Sequence, residues 1–343
     1  MLLPLLRRGT GVLALAAAFF ACETEPTTLS APDPIDPTMP LPGASVQPVA
    51  FAHDNNPVYP SDFPDPFVLV ADSAYYAFST NSSSAVHVPV LRSKDLSTWE
   101  SLGDALPELP QWALAGRRLT WAPAVLKMEG RYILLYTTRD AVSGLQCIGR
   151  AESPTPAGPF VDNSSAPFIC QTTRGGSIDA SFVSDSSGVF VLWKNDGNCC
   201  AKTVTIWSQR LTQDGRTLLG GPAALLHRDR SWEGPLVEAP TMWEEKGRWH
   251  LLYSANMWNT DRYATGYATC DSPTGPCRKV GVGPVMVSDT EMSGPGGAEV
   301  FTDLAGQRWV AYHGWTATQV GYGSGGARSF RLDRVTLSSA ALE

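Results

Sequence analysis

Apolar and polar residues alternate along this chain in short runs, and the runs repeat. Five segments share one pattern: a short apolar strand, a turn carrying Gly, Asp or Ser, then an aromatic-rich strand. They read DPFVLVADSAYYAFST from Asp65, APAVLKMEGRYILLYTT from Ala122, DASFVSDSSGVFVLWK from Asp179, APTMWEEKGRWHLLYSA from Ala239 and AEVFTDLAGQRWVAYHG from Ala298. The starts lie 57, 57, 60 and 59 residues apart. Each unit continues into a third strand, reached by Val86, Leu145, Thr205, Tyr263 and Arg328. Helical periodicity of useful length is missing. Three or four short strands repeated at this period predict an all-β chain folded as a five-bladed β-propeller. Two packed β-sandwiches would use the same strands but leave a five-fold repeat unexplained.

The N-terminal stretch has another character. Arg7 and Arg8 precede the uncharged residues 11–21, a run too short to span a bilayer, and Cys22 follows at once. The arrangement resembles the lipobox of bacterial lipoproteins, in which the cysteine is lipidated and becomes the mature N-terminus; a plain cleaved signal is the alternative. Residues 1–22 are therefore read as the export signal, and the expected location is outside the cytoplasm, either lipid-anchored through Cys22 or secreted. Residues 23–50 hold seven prolines among Ser, Thr and Asp, which predicts an extended linker. The propeller is expected over 51–343.

Cysteine usage fits export. Setting Cys22 aside leaves six, an even number suited to an oxidising compartment. Cys270 and Cys277 flank a Ser-Pro-Thr-Gly-Pro turn and are placed to bridge neighbouring strands. Cys147 and Cys170 sit around a similar turn, and Cys199 and Cys200 are adjacent, as a vicinal disulfide requires. A zinc site is the competing reading, without any C-x-x-C spacing in its favour.

Composition narrows the partner. The net charge is −7 and only 17% of residues are charged, so nothing offsets the phosphates of a nucleic acid. The chain carries 11 Trp, 10 Tyr and 12 Phe, a composition that suits either a β core or a neutral sugar ligand.

In a propeller the first strand of every blade lines the central axis, so chemistry is expected where the repeats break their own pattern. The start positions are Asp65, Ala122, Asp179, Ala239 and Ala298, and the residues just before them are Pro64, Trp121, Ile178, Glu238 and Gly297. Three acids thus reach the axis: Asp65, Asp179 and Glu238. Like charges around a funnel raise one another's pKa, and one protonated carboxyl beside one carboxylate is the pair that glycoside hydrolysis needs. A single Asp at a strand start would be an ordinary turn residue; three acids in register beside Trp121 are not explained that way.

The strings FPDPFVLV, WAPAVL, SIDASFVSDSSG, VEAPTMWEEKGRWHLLYS and GPGGAEVF resemble the five blade openings of family-43 glycoside hydrolases, which include arabinofuranosidases, arabinanases and β-xylosidases. The resemblance covers residues from about 60 to 335. It implies an inverting enzyme with Asp65 as general base, Asp179 as the acid that modulates a pKa and orients the sugar, and Glu238 as general acid, protonated at rest. Glu233 in WEGP fits the same short motif, but only Glu238 lies the right distance before the turn at Gly247. Asp62 falls three residues too early to replace Asp65, and Asp185 is a turn residue.

Two family positions are altered: Ala124 stands where W-A-P-D has Asp, and Gly297 where G-P-G-H has His. Because that His helps hold a central metal or water in some members, its loss argues against a structural calcium, and no cofactor is expected to be required. Trp121 and Phe67 are expected to face the sugar. His313, facing the axis from the next strand, and Arg328, after a Gly-rich loop, are further candidate contacts. The expected partner is a pentose-containing oligo- or polysaccharide, most directly α-L-arabinofuranosyl residues, bound by a monomer. A β-xylosidase of the same family, and a non-catalytic sugar-binding propeller, are the alternatives.

Overall fold

The structure is a computed structural model that describes residues 48–53, 55–81, 86–116 and 119–338. The expected signal segment 1–22, Cys22 and the linker up to residue 47 lie outside the described residues. Two strands, β1 (Val49–His53) and β2 (Tyr59–Asp62), precede the repeats. Blade one holds β3 (Phe67–Ala71), β4 (Ala74–Phe78), β5 (Pro89–Ser93) and β6 (Glu100–Asp104). Blade two holds β7 (Trp121–Met128), β8 (Arg131–Arg139) and β9 (Gln146–Ser153). Blade three holds β10 (Ile178–Asp185), β11 (Gly188–Lys194), β12 (Thr205–Leu211) and β13 (Leu218–His227). Blade four holds β14 (Val237–Glu245), β15 (Arg248–Ala255), β16 (Ala264–Cys270) and β17 (Cys277–Lys279). Blade five holds β18 (Met292–Thr302), β19 (Arg308–Thr316) and β20 (Arg328–Leu337). The chain is all-β, and among the described residues its helical content is four 3₁₀ turns.

Within each blade the strands are antiparallel and follow chain order. Blade five is completed from the other end of the chain. There β1 pairs with β20, Val49 opposite Leu337, and β2 also pairs with β20, Tyr59 opposite Phe330. The propeller strands therefore begin at Val49, within the stretch expected to be linker.

Large side chains fill the space between blades, as at Phe78 and Phe160, which meet edge-on with ring centroids 6.3 Å apart. Two glycines admit two buried tyrosines. A Cβ at Gly149 would lie 2.5 Å from the Tyr136 ring, and one at Gly266 would come as close to Tyr253, so only glycine allows either ring to lie flat across its partner strand. Both phenols then donate to an acid: Tyr136 to Asp162 at 2.7 Å and Tyr253 to Glu233 at 2.8 Å. Glu233 is thus a core residue.

All three cysteine pairs form disulfides: Cys147–Cys170, Cys199–Cys200 and Cys270–Cys277. The zinc alternative falls, because these sulfurs are bonded to one another.

Candidate active site

Every blade opens on a residue with left-handed backbone. The values of φ are 49° at Asp65, 42° at Ala122, 59° at Asp179, 47° at Ala239 and 59° at Gly297. In blades two to five a bulge follows, so that the first strand gains a residue over its partner. This pattern corrects the alignment of the fifth repeat by one position. Gly297, and not Ala298, is the counterpart of Asp65, and Gly296 is the counterpart of Glu238.

The left-handed residue turns its N–H toward the preceding blade, where the end of the second strand supplies an acceptor. Thr80 Oγ1 accepts from Ala122 at 2.8 Å, Thr137 Oγ1 from Asp179 at 3.4 Å, and Ser254 Oγ from Gly297 at 2.9 Å. His313 Nδ1 accepts from Asp65 at 3.0 Å and closes the ring. The third blade breaks the rule. Its residue at this place is Lys194, which has no lone pair to offer, so Asp179 Oδ2 accepts from Ala239 at 3.1 Å instead.

These openings bring the three predicted acids together. Asp65 and Asp179 line a narrow axial cavity, with Phe67, Pro123, Pro240 and Glu299 among the other lining residues. Glu238 immediately precedes Ala239, which also lines it. Asp65 Oδ2 accepts a hydrogen bond from Thr80 Oγ1 at 2.6 Å and lies 3.6 Å from Arg328 Nη1. Both oxygens of Glu238 are taken: Oε1 accepts from the Tyr263 phenol and Oε2 from Lys194 Nζ, each at 2.9 Å. Burial, with the Glu238 charge second, keeps the Tyr263 phenol neutral and a donor.

Asp179 favours its protonated form. Burial, then the negative charges of Glu238 and Asp65, push it well above the usual carboxylate range, and Lys194 opposes them only in part. Both oxygens of Glu238 thus face donors, while Asp179 sits where burial and like charge favour its protonated form.

The predicted sugar contacts divide. Trp121 is half-buried beside the opening. Phe67 lies in the cavity wall at the bulged level, in line with Ala124, Ser181, Thr241 and Glu299. Arg328 is 7% exposed and caged: its guanidinium stands 4.6 Å from the Trp258 ring centroid, and Nη2 and Nε both donate to the Tyr322 hydroxyl. Asp62 holds that cage, accepting from Arg328 N at 2.7 Å and from Tyr322 Oη at 3.1 Å, which confirms it as a structural acid.

His313 departs from expectation. It is fully buried, so it touches the Asp65 backbone and the face of Tyr263 and has no surface to offer a sugar. Burial, then Arg328, push its pKa well down, and the ring is neutral. Since Nδ1 accepts from Asp65, Nε2 carries the hydrogen and cannot ligate a metal. A Cβ at Gly297 would stand 2.7 Å from both Asp65 Oδ1 and His313 Nδ1, so His313 fills the space a side chain there would need. No cluster of three or more His, Cys, Asp or Glu side chains suited to a metal exists among the described residues. The residues present do not fit a central calcium.

Lys194, Tyr263 and Thr80 were missed by sequence reasoning. A signal existed: the second-strand ends Thr80, Thr137, Lys194, Ser254 and His313 recur at 57, 57, 60 and 59 residues, within one residue of the spacing of the openings.

Comparison with known proteins agrees with this geometry. A family model described as glycosyl hydrolases family 43 matches residues 55–339. Beta-D-galactofuranosidase xynD of Aspergillus niger is 27% identical over 273 residues, which cover 75% of each chain. Probable arabinan endo-1,5-alpha-L-arabinosidase A of Aspergillus clavatus is 25% identical over 294 residues, 78% of this chain and 86% of its own. Among solved structures, a thermostable family-43 glycoside hydrolase superposes with a TM-score of 0.74 at 28% identity, covering 83% of this chain and 93% of that one.

Proposed function

The chain belongs to glycosyl hydrolase family 43, and from that premise we propose that this glycosidase removes terminal α-L-arabinofuranosyl residues from arabinan or arabinoxylan with inversion. The observation that carries the proposal is the ring of blade openings, where Asp65 and Asp179 line one cavity and Glu238 stands beside it. A galactofuranosidase and an arabinan arabinosidase among the relatives support a five-membered sugar ring.

Asp65, oriented by Thr80 and Arg328, takes a proton from water as that water's oxygen bonds to the anomeric carbon. The glycosidic C–O bond breaks on the opposite face, and its oxygen leaves with a proton from Glu238. The proton that Glu238 gives is the one shared by the Glu238–Asp179 pair, where burial and like charge favour one protonated carboxyl. The carboxyls must leave room for water, about 6.5–9.5 Å apart. Trp121 and Phe67 give the ring apolar faces, and no cofactor takes part. The protein acts as an exported monomer, anchored through Cys22 or released after cleavage; three disulfides support an oxidising destination.

The test is release of nitrophenol from aryl α-L-arabinofuranoside and aryl β-D-xyloside, with the first-formed anomer read by proton NMR. Faster turnover of the arabinofuranoside, an inverted product and a loss of about a hundredfold or more in Glu238→Gln are expected. Preference for the xyloside would replace the substrate, and a retained product would remove the mechanism.

A further inference from the structure

The one ring position that breaks the stitching pattern carries a charge, and that charge is aimed. Four blades end their second strand in a side chain that accepts the next blade's N–H. A fifth acceptor in place of Lys194 would complete the ring at no electrostatic cost. A fully buried lysine is expensive unless it is paired. Its Nζ lies 2.9 Å from Glu238 Oε2 and 3.7 Å from Asp196 Oδ1. Burial works against its charge, but Glu238, then Asp196 and Asp179, outweigh it and hold the ammonium above the ordinary lysine value.

We infer that Lys194 is a positioning residue for proton donation, gripping Glu238 from the third blade while Tyr263 grips it from the fourth. The inference rests on Glu238 being the general acid. With a donor on each oxygen, the carboxyl plane is fixed relative to the cavity. The same cation opposes the burial and negative charge that keep a proton on Asp179, so Lys194 limits the pH up to which the acid pair stays protonated. The other charges facing this pair are accounted for. Asp179 and Asp65 press from the axis and Asp196 from the loop after β11, itself offset by Arg139. Arg328 is engaged with Asp65, and His313, stacked on Tyr263, is neutral.

The experiment compares wild type, Lys194→Met, Lys194→Arg and Glu238→Gln on aryl glycosides whose leaving groups range from acidic to weakly acidic phenols, across pH. Glu238→Gln should be slow throughout and lose progressively more as the phenol becomes less acidic and needs the proton more. Lys194→Met should show the same leaving-group dependence in weaker form. The alkaline limb of its kcat/KM profile should move up by about one unit or more, because the opposing cation is gone. Lys194→Arg should keep the wild-type limb. A circular dichroism melt separates these effects from misfolding, and if Lys194→Met does not fold, Lys194→Gln takes its place. Lys194→Met with the wild-type limb and leaving-group dependence would overturn the role of Lys194. A flat dependence in Glu238→Gln would instead overturn the assignment of the acid.

Discussion

Replacing Glu233 by glutamine separates the two glutamates that a short motif cannot. Glu233 has no exposed surface and four donors converge on it: Asp229 N at 2.9 Å, Arg230 N at 3.0 Å, Tyr253 Oη at 2.8 Å and Lys279 Nζ at 2.5 Å. An amide there turns an N–H₂ toward groups that are themselves donors and removes the charge facing Lys279. Breaking a buried ion pair costs about 3–5 kcal/mol. The lower end applies here, because Lys279 keeps Asp229 at 2.7 Å and the carbonyl of His227 at 2.7 Å. Unfolding entropy near 2.1 cal/mol/K per residue gives roughly 0.6 kcal/mol/K for a domain of about 290 residues, so ~3 kcal/mol lowers Tm by about 5 °C. Calorimetry and aryl-glycoside kinetics at 25 °C, run on both variants, make the test. Glu233→Gln should melt early with its turnover intact, whereas Glu238→Gln should lose turnover. A Glu233→Gln variant that melts like wild type but is inactive would refute the reasoning.

Two further outcomes follow from the axial channel. Glu299 sits in it with Ser181 Oγ and Thr241 Oγ1 on Oε1, and burial raises its pKa to about 8. The folded state keeps a proton that the unfolded state loses above about pH 4.3, so this group's cost to folding grows from there to about pH 8 and is then constant. Glu299→Gln should gain in Tm over wild type as pH rises through that window, and a gain independent of pH would contradict it. Because the ring nitrogen of His313 that is free of Asp65 carries a hydrogen, EDTA should leave the rate unchanged; a loss that calcium restores would reverse that reading.

The period and strand count were legible because each blade must bury one face against the next, and the same apolar spacing recurs wherever that demand does. The three acids were legible for the same reason, as departures from a repeating background. The fifth opening was misplaced by one residue, since the left-handed turn that marks it lies in backbone geometry and Gly297 next to Ala298 gives no side-chain cue. His313 and Arg328 looked like sugar contacts because a strand-borne His or Arg near the axis carries no sign of what covers it; the covers, Tyr263 and Trp258, come from the loop between β15 and β16. Lys194 reads locally as an ordinary strand-end lysine. Only alignment of the second strands, rather than the first, sets it among Thr80, Thr137, Ser254 and His313.

The pairing of β1 and β2 with β20 makes catalysis a sensor of the ring's integrity. Asp65 lies three residues after β2, Arg328 is the first residue of β20, and His313 on the neighbouring strand carries the Asp65 backbone. The seam where β1 and β2 join β20 is therefore also the seat of Asp65, the carboxylate proposed to activate water. Fraying at either end would displace Asp65 while blades two to four, with Asp179 and Glu238, stayed folded. Such a molecule would remain compact and soluble yet hydrolytically silent, and turnover would report a loosened seam before any spectroscopic probe of the β-sheets did.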